Sequence, residues 1–505
     1  MKLKILRLTA LLAVSSVSLL HAVTTNNIYI TGPSSFRASA VNAIANILTN
    51  PVASFASGTT INKALQVTFS GKIGNANWNV YTTWVGSEDA LLSTSQTTTP
   101  LPTLPFLTLA GNTQSAVSKA VAPATITGGT LASSPVYQNN TPNVTLSDEW
   151  QASCQFHGTL AGTTYAALTG PTETSIGATI IAVQPYKVIA SLFDSSGNSY
   201  APATYAGSLT TTAGSTSATL NSAIPALKDG AILSGNPNLA ADTTVQSVSG
   251  TSVTLSSPAT VTATSVATNF DYVGLSNLST QLAKKAFTST GGVANLTQFT
   301  GSDNDSDIQV YAVGRNHDAG QRAGFVLETG IDKPGTGTTA IQQYYPLDPN
   351  GNIIGDTGAS TTITSLELVP AETVNGVAYS TGESGYSTAA SVVDVFTATN
   401  DLPQSLFITY FGISDAKSAL AGNAQELSYN GFYYSPTAVQ NGQYTLWSYE
   451  HVYYKSGLSS TLKNFASSFA SQLYTSDAAV SGVLLDSAFT ASRDPATVDG
   501  AIVTQ

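Results

Sequence analysis

One cysteine stands in 505 residues, so Cys154 has no internal partner. A disulfide framework is excluded, and the fold must rest on its apolar core, for which 42% hydrophobic residues are ample. Cys154 itself reads as a small buried hydrophobe without a function. Charge is equally scarce: 9% of residues are Asp, Glu, Lys or Arg, where a soluble domain carries about 25%. The balance is acidic, with a net charge of −11, which opposes general attraction to nucleic acid or to anionic membranes. Any anion must be recruited by local groups. Histidine is rare too. His21, His157, His317 and His451 show no metal-ligand spacing, so neither a metal nor a cofactor is expected.

Long apolar runs are missing after the first residues. The opening "MKLKILRLTALLAVSSVSLLHA" sets Lys2, Lys4 and Arg7 before an apolar run from Leu8 to Leu20. That is the pattern of a secretory signal peptide, residues 1–22, with cleavage expected after Ala22. The run is too short to span a bilayer comfortably. A periplasmic, extracellular or cell-surface location follows as the expectation. Catalytic signatures are absent as well: there is no G-x-S-x-G elbow and no G-x-x-x-x-G-K-[ST] loop. "GTGTT" at 335–339 lacks a strand-to-helix setting, and "GESGYS" at 382–387 has no histidine recognisably paired with it. An enzyme is not expected.

What is present is alternation. At about 150 residues per domain the length suggests two to four domains. "NNIYITG" reads as a strand, and "PSSFRASAVNAIANILTN" follows with helical spacing at Phe36, Ala40, Ala43, Ile44, Ile47 and Leu48. "WNVYTTWVGS" precedes "EDALLS", and "DIQVYAVGR" leads into "GRNHDAGQR" at 314–322. "GATIIAVQPYKVIAS" reads as a strand pair or as one strand broken at Pro185. The class is α/β. Residues 95–145, rich in Thr, Pro, Ser and Ala, read as a long loop. Residues 198–272 alternate apolar and polar around Ser249-Gly250 and read as a small inserted β-module.

Strands that end in glycine-containing turns and start helices aim backbone N–H groups at whatever fills the turn, and the helix dipole favours negative charge there. "YITGPSSF", "TWVGSEDA" and "VGRNHDAGQRAGF" share that form. Three such turns converging would cradle an oxyanion, with Arg315 as a planar charged donor and the hydroxyls of Ser35 and Ser87 completing the shell. Taken singly, each turn is an ordinary helix cap. By the same reasoning Ser147-Asp148 alone reads as the cap of a helix beginning "EWQAS".

The ordered segments "ITGPSSF", "WVGSEDALLS", "VTLSDEWQAS", "IIAVQPYKVIAS", "VGRNHDAGQR", "GESGYSTAASV", "ITYFGISDAKSA" and "YTLWSYEHVYYK" resemble the phosphate-binding proteins that feed ABC phosphate transporters, of the type II periplasmic binding-protein fold. The resemblance spans most of the chain apart from 95–145 and 198–272. It implies two α/β lobes closing on a ligand, with lobe 1 at 23–183 and 425–505, lobe 2 at 184–424, and the module at 198–272 within lobe 2. It implies ligand contacts from Ser35, the Phe36 N–H, Ser87, Arg315 and the Gly320 N–H. Asp148 would accept a proton from bound phosphate, which a fully ionised sulfate could not supply. The family's arginine loop continues with Ser and Thr where this chain has Ala319 and Gln321, and its acid has moved to Asp318, leaving His317 in the usual place. Gln321 can still donate through its amide, and Arg322 can add charge. The implied partners are phosphate or a similar oxyanion and the membrane subunits of an ABC transporter. The alternative is a surface or matrix protein that keeps the fold with binding weakened or lost.

Overall fold

The computed structural model describes residues 25–170, 180–288, 292–331, 341–422, 424–484, 489–493 and 502–504. The leader read at 1–22 and the "GTGTT" segment lie outside them. The first strands are β1 (Thr25–Pro33), β2 (Thr49–Ala56), β3 (Gln66–Ile73) and β4 (Ala76–Val85). Nine helices occur among the described residues: α1 (Arg37–Ile47), α2 (Ser87–Ser95), α3 (Thr280–Ala286), α4 (Thr297–Thr300), α5 (Gly320–Thr329), α6 (Ala389–Thr397), α7 (Ile413–Ala419), α8 (Pro436–Gln440) and α9 (Ser460–Thr475). The α/β class is therefore what the chain adopts.

A fourteen-stranded mixed sheet organises it. β1 runs parallel to β4 and to Val144–Ser147, while β3 lies antiparallel between β4 and β2. Across the sheet, Gln309–Ala312 runs parallel to Ser405–Gly412. The strand Ile180–Ser191 joins the two halves. Its residues up to Pro185 pair with Trp447–Tyr454, and those from Tyr186 onward pair with Ser405–Gly412 and Ala424–Tyr429. Neither a strand pair nor a break at Pro185 is observed: the strand is continuous from Ile180 to Ser191. Pro185 has no N–H to give a ladder, and it stands where the strand changes partners.

Cores form on both sides of this junction. Ile28 and Ile30 of β1, Val41 and Ile44 of α1, and Phe465 and Phe469 of α9 pack together, all fully or almost fully buried. Val188, Val310, Phe325, Leu406 and Trp447 belong to a second cluster. At about 1.5–3 kcal/mol per buried large apolar side chain, these clusters hold the strand ends and helix starts in fixed relation.

Two expectations need correction. Residues 95–145 are not one loop: Leu104–Leu107 pairs with Tyr137–Asn140, while Ser115–Ala116 and Thr130–Leu131 both pair with β2. Strands of two to four residues are too short to show period-two alternation, which hid them. No helix begins at "EWQAS" either. Glu149 N–H bonds the Ser147 hydroxyl at 3.2 Å, and Ser153 and Cys154 N–H both turn back to the Trp150 carbonyl.

Residues 203–272 form a separate six-stranded antiparallel sheet with its own core, including Leu209, Leu220, Val253, Leu255 and Phe270. Its outer ends pair directly, Ala203 with Tyr272. Lys228 Nζ sits 3.5 Å from the Tyr200 ring centroid, and the Tyr272 hydroxyl donates to Asp305 at 3.0 Å. Excising 203–272 and closing the gap with a short Gly/Ser linker is expected to leave the rest folded, with a lowered unfolding midpoint from the loss of those two contacts. Circular dichroism and thermal unfolding of the shortened protein check this; an unfolded product would make the sheet an integral part of its host.

Candidate functional site

Three strand-to-helix turns meet at the heart of the structure. The turn before α5 lies directly on the start of α2. Its Gly320 comes so close that an added Cβ would stand 2.4 Å from Ser87 Oγ and 2.6 Å from Asp148 Cβ. Ser87 Oγ in turn accepts the Asp148 N–H at 3.1 Å. Ser87, Asp148 and Gly320, drawn from distant parts of the chain, therefore pack against one another.

Asp318 of the same turn caps α2. Its carboxylate accepts the Asp89 N–H at 2.7 Å, and its carbonyl accepts the Glu88 N–H at 3.3 Å. These α2 donors, which the three-turn reading would aim at a bound anion, are satisfied by the protein's own acid. The start of α2 favours an acceptor or negative charge, but the place is taken by an internal carboxyl, whose pKa burial raises well above the usual range.

Arg315 is anchored rather than mobile. Its Nε donates to the Tyr386 carbonyl at 3.1 Å and its Nη2 to the Ser387 carbonyl at 2.9 Å. Both carbonyls belong to the "GESGYS" segment, whose Gly385 lies so near that an added Cβ would meet the Gly314 carbonyl oxygen at 2.5 Å. Gln343 clamps the pair, donating to the Arg315 carbonyl at 3.2 Å and the Ser384 carbonyl at 2.7 Å. Burial lowers the Arg315 pKa, and the charges of Asp415, Asp318 and Asp148 oppose that shift. Arg322, on the first turn of α5 and 1% exposed, donates to the Glu383 carbonyl at 2.8 Å.

A cleft of about 590 Å³ opens beside Arg315. Ser35, Arg37, Lys63, Arg315, Gln321 and Asp415 contribute to its wall. The Ser35 hydroxyl and both amide atoms of Gln321 are buried without a protein partner. Ser35, Arg315 and Gln321 therefore share the cleft, whereas Ser87, Asp148 and Gly320 do not line it. Phe36 is fully buried, and its N–H donates to the Pro33 carbonyl at 3.2 Å.

Asp148 faces a different neighbour from the one the resemblance implies. Its carboxyl lies against that of Glu450, both fully buried, with the Ser87 hydroxyl beside it. Burial raises both pKa values, Glu450 well above the carboxylate range with Asp148 adding to the effect. Two buried carboxyls in contact share a proton. Deeper still, Glu88, Glu149 and Cys154 bring three ligand-capable atoms within 4.8 Å of one another. This group could hold a metal ion, although burial lifts the Glu88 carboxyl to about 7 and the Cys154 thiol well above its usual range, which favours the protonated forms.

"GESGYS" does have a histidine near it. Ser384 Oγ lies 3.5 Å from His317 Nδ1, and Glu372 Oε1 lies 3.0 Å from the same nitrogen. A nucleophilic relay places serine and acid on opposite ring nitrogens; here both meet one.

Sequence reasoning missed Arg37, Lys63, Asp415 and Glu450. Three of them stand inside the ordered segments or directly after one ("ITGPSSF" then Arg37, "ITYFGISDAKSA", "YTLWSYEHVYYK"), so their acid–base character was the available signal. The Tyr386 and Ser387 carbonyls had none, being backbone.

No protein-family model matches the chain, and no curated protein matches it. Among solved structures it is similar to a protein named as a phosphate ABC transporter substrate-binding protein, with phosphate bound, from Clostridium perfringens: 10% identity, 91% of this chain and 99% of that one, TM-score 0.35. It is also similar to an ABC-type phosphate transport receptor from Vibrio cholerae, at 10% identity over 91% of this chain and all of that one, TM-score 0.33. A third likeness is to PstS from Borrelia burgdorferi, at 12% identity over 56% of this chain and 72% of that one, TM-score 0.24. Among the described residues no helix is long and apolar enough to cross a membrane.

Proposed function

We propose that the protein captures an oxyanion, phosphate or a close relative, in the cleft beside Arg315. One observation carries the reading. A guanidinium fixed by two backbone carbonyls stands at the cleft wall with the Ser35 hydroxyl and the Gln321 amide, whose polar atoms lack protein partners. Buried polar groups left unpaired cost about 1–3 kcal/mol each, and an oxyanion would accept from the two donors among them, the Ser35 hydroxyl and the Gln321 Nε2. Among the described residues the wall carries Arg37, Lys63 and Arg315 against one acid, Asp415, a local positive field in a chain of net charge −11. The ordered sequence segments support the wider role of an exported solute-binding protein working with an ABC transporter. A surface or matrix role with weakened binding is the second reading, favoured by Asp318, which takes donors of α2 that an anion would use.

Calorimetry with inorganic phosphate, sulfate, arsenate and a phosphonate tests the proposal. Arg315→Lys keeps the charge but loses the planar fork; a loss of at least tenfold in affinity is expected, together with a lowered melting temperature because Lys cannot hold both the Tyr386 and Ser387 carbonyls. Absence of binding by all four anions, or unchanged affinity in Arg315→Lys, would sink it in favour of the second reading.

A further inference from the structure

Resting on that reading, we infer that the ligand is a phosphorylated polyhydroxy compound rather than a free inorganic ion. The first ground is size. A water takes up roughly 30 Å³, so a five-heavy-atom tetrahedral ion needs on the order of 100 Å³. The cleft holds about 590 Å³, within the span of roughly 300–1,000 Å³ used by sites for ligands of some twenty or more atoms. The cleft opens beside the place where the Gly320 turn touches Ser87 and Asp148 and Asp318 bonds α2.

The second ground is the polar remainder of the wall. It presents Ser34, Ser57, Asn62, Thr388, Ser414 and Ser418, short neutral side chains that donate or accept hydrogen bonds. The Asn62 carbonyl oxygen is buried without a partner. Such a wall suits hydroxyl groups. Among the described residues it offers no aromatic ring for a base to stack on and few apolar residues for an acyl chain.

The third ground is charge. Three cations face one carboxylate, which leaves two positive charges formally unmatched. A phosphate monoester, dianionic near neutral pH, supplies that charge at one end and an uncharged polyol at the other. The phosphate would sit at Arg315, Gln321 and Ser35, with the polyol extending past α6 and α7.

Calorimetry on the full-length protein with inorganic phosphate, glucose 6-phosphate, glycerol 3-phosphate and glucose provides the test. At least one of the two esters is expected to bind tenfold or more tightly than inorganic phosphate, with glucose alone not binding. Ser418→Leu, near the end of α7, adds bulk to a part of the cleft wall that makes no bond to Arg315, and it is expected to weaken the preferred ester at least tenfold more than it weakens inorganic phosphate. Arg315→Lys should weaken both. Inorganic phosphate binding as tightly as the better of the two esters, or Ser418→Leu affecting ester and ion equally, overturns the inference and leaves the oxyanion reading standing. No binding by ester or ion defeats the oxyanion reading itself and this inference with it.

Discussion

Gly86→Ala is expected to destabilise the protein by about 2–3 kcal/mol, the upper part of the range for forcing a methyl into a packed interior. An added Cβ would lie 2.2 Å from the Asp318 carboxyl carbon and 2.2 Å from its carbonyl oxygen. Backbone and side chain would both have to withdraw, and with them would go the hydrogen bonds from Glu88 and Asp89. Removing the carboxyl alone cannot rescue the variant, because the carbonyl still blocks the methyl. Gly457→Ala is the control: nothing lies within 4 Å of the place its new methyl would take, and its backbone is not left-handed, so the unfolding midpoint should barely move. Denaturant midpoints for the two variants beside the parent protein measure the contrast. Equal, small shifts would mean that the Asp318 contact with α2 is loose.

A second large effect is expected from pH, in the direction opposite to that of most proteins. Burial raises the pKa of Glu88 from 4.5 to about 7, against the pull of Arg322 and the hydrogen bond from Gln155. It also raises Asp89, Asp148, Asp318 and Glu450. A carboxyl whose pKa is higher in the folded state keeps its proton where the unfolded chain has lost it. The folded state then binds more protons, and stability falls as pH rises. For Glu88 the window runs from about 4.5 to about 7, and at 1.36 kcal/mol per unit the loss is about 3 kcal/mol. The unfolding midpoint should be highest near pH 5 and decline toward pH 8, and Glu88→Gln should flatten much of that decline. A midpoint that climbs between pH 5 and pH 8 would show that these carboxyls are ionised and paired.

The sequence made the strand-to-helix turns legible because their signals are local. Gly-Pro-Ser-Ser before α1, Gly86 before α2 and the Ala319-Gly320 step before α5 each lie within a few residues of the helix they start. Ser35, Arg315 and Gln321 were readable for the same reason, since each stands in such a turn. Asp415 and Lys63 were not, because they reach the cleft from α7 and from the turn before β3, far away in sequence and without a pattern of their own. The expected cap is there, with the Ser147 hydroxyl accepting the Glu149 N–H, but the helix after Asp148 does not continue: the Gln151 N–H is taken by the Tyr453 hydroxyl, a partner from far along the chain that no local pattern announces. Asp318 shows the subtler failure. The helix start at Ser87 is legible in the sequence, yet periodicity and composition do not say whether its N–H groups meet a ligand or a side chain of the chain itself, here Asp318.

The pairing of Ala203 with Tyr272 bears on how this protein can change over generations. A stretch whose two ends lie shoulder to shoulder can be gained, lost or exchanged by recombination without rethreading the chain around it. Length and sequence between those ends are thus freer to drift than the sheet from which they depart. The same junction offers a place to splice in a fluorescent reporter with closely spaced termini, turning occupancy of the cleft into an optical signal if the two are mechanically linked.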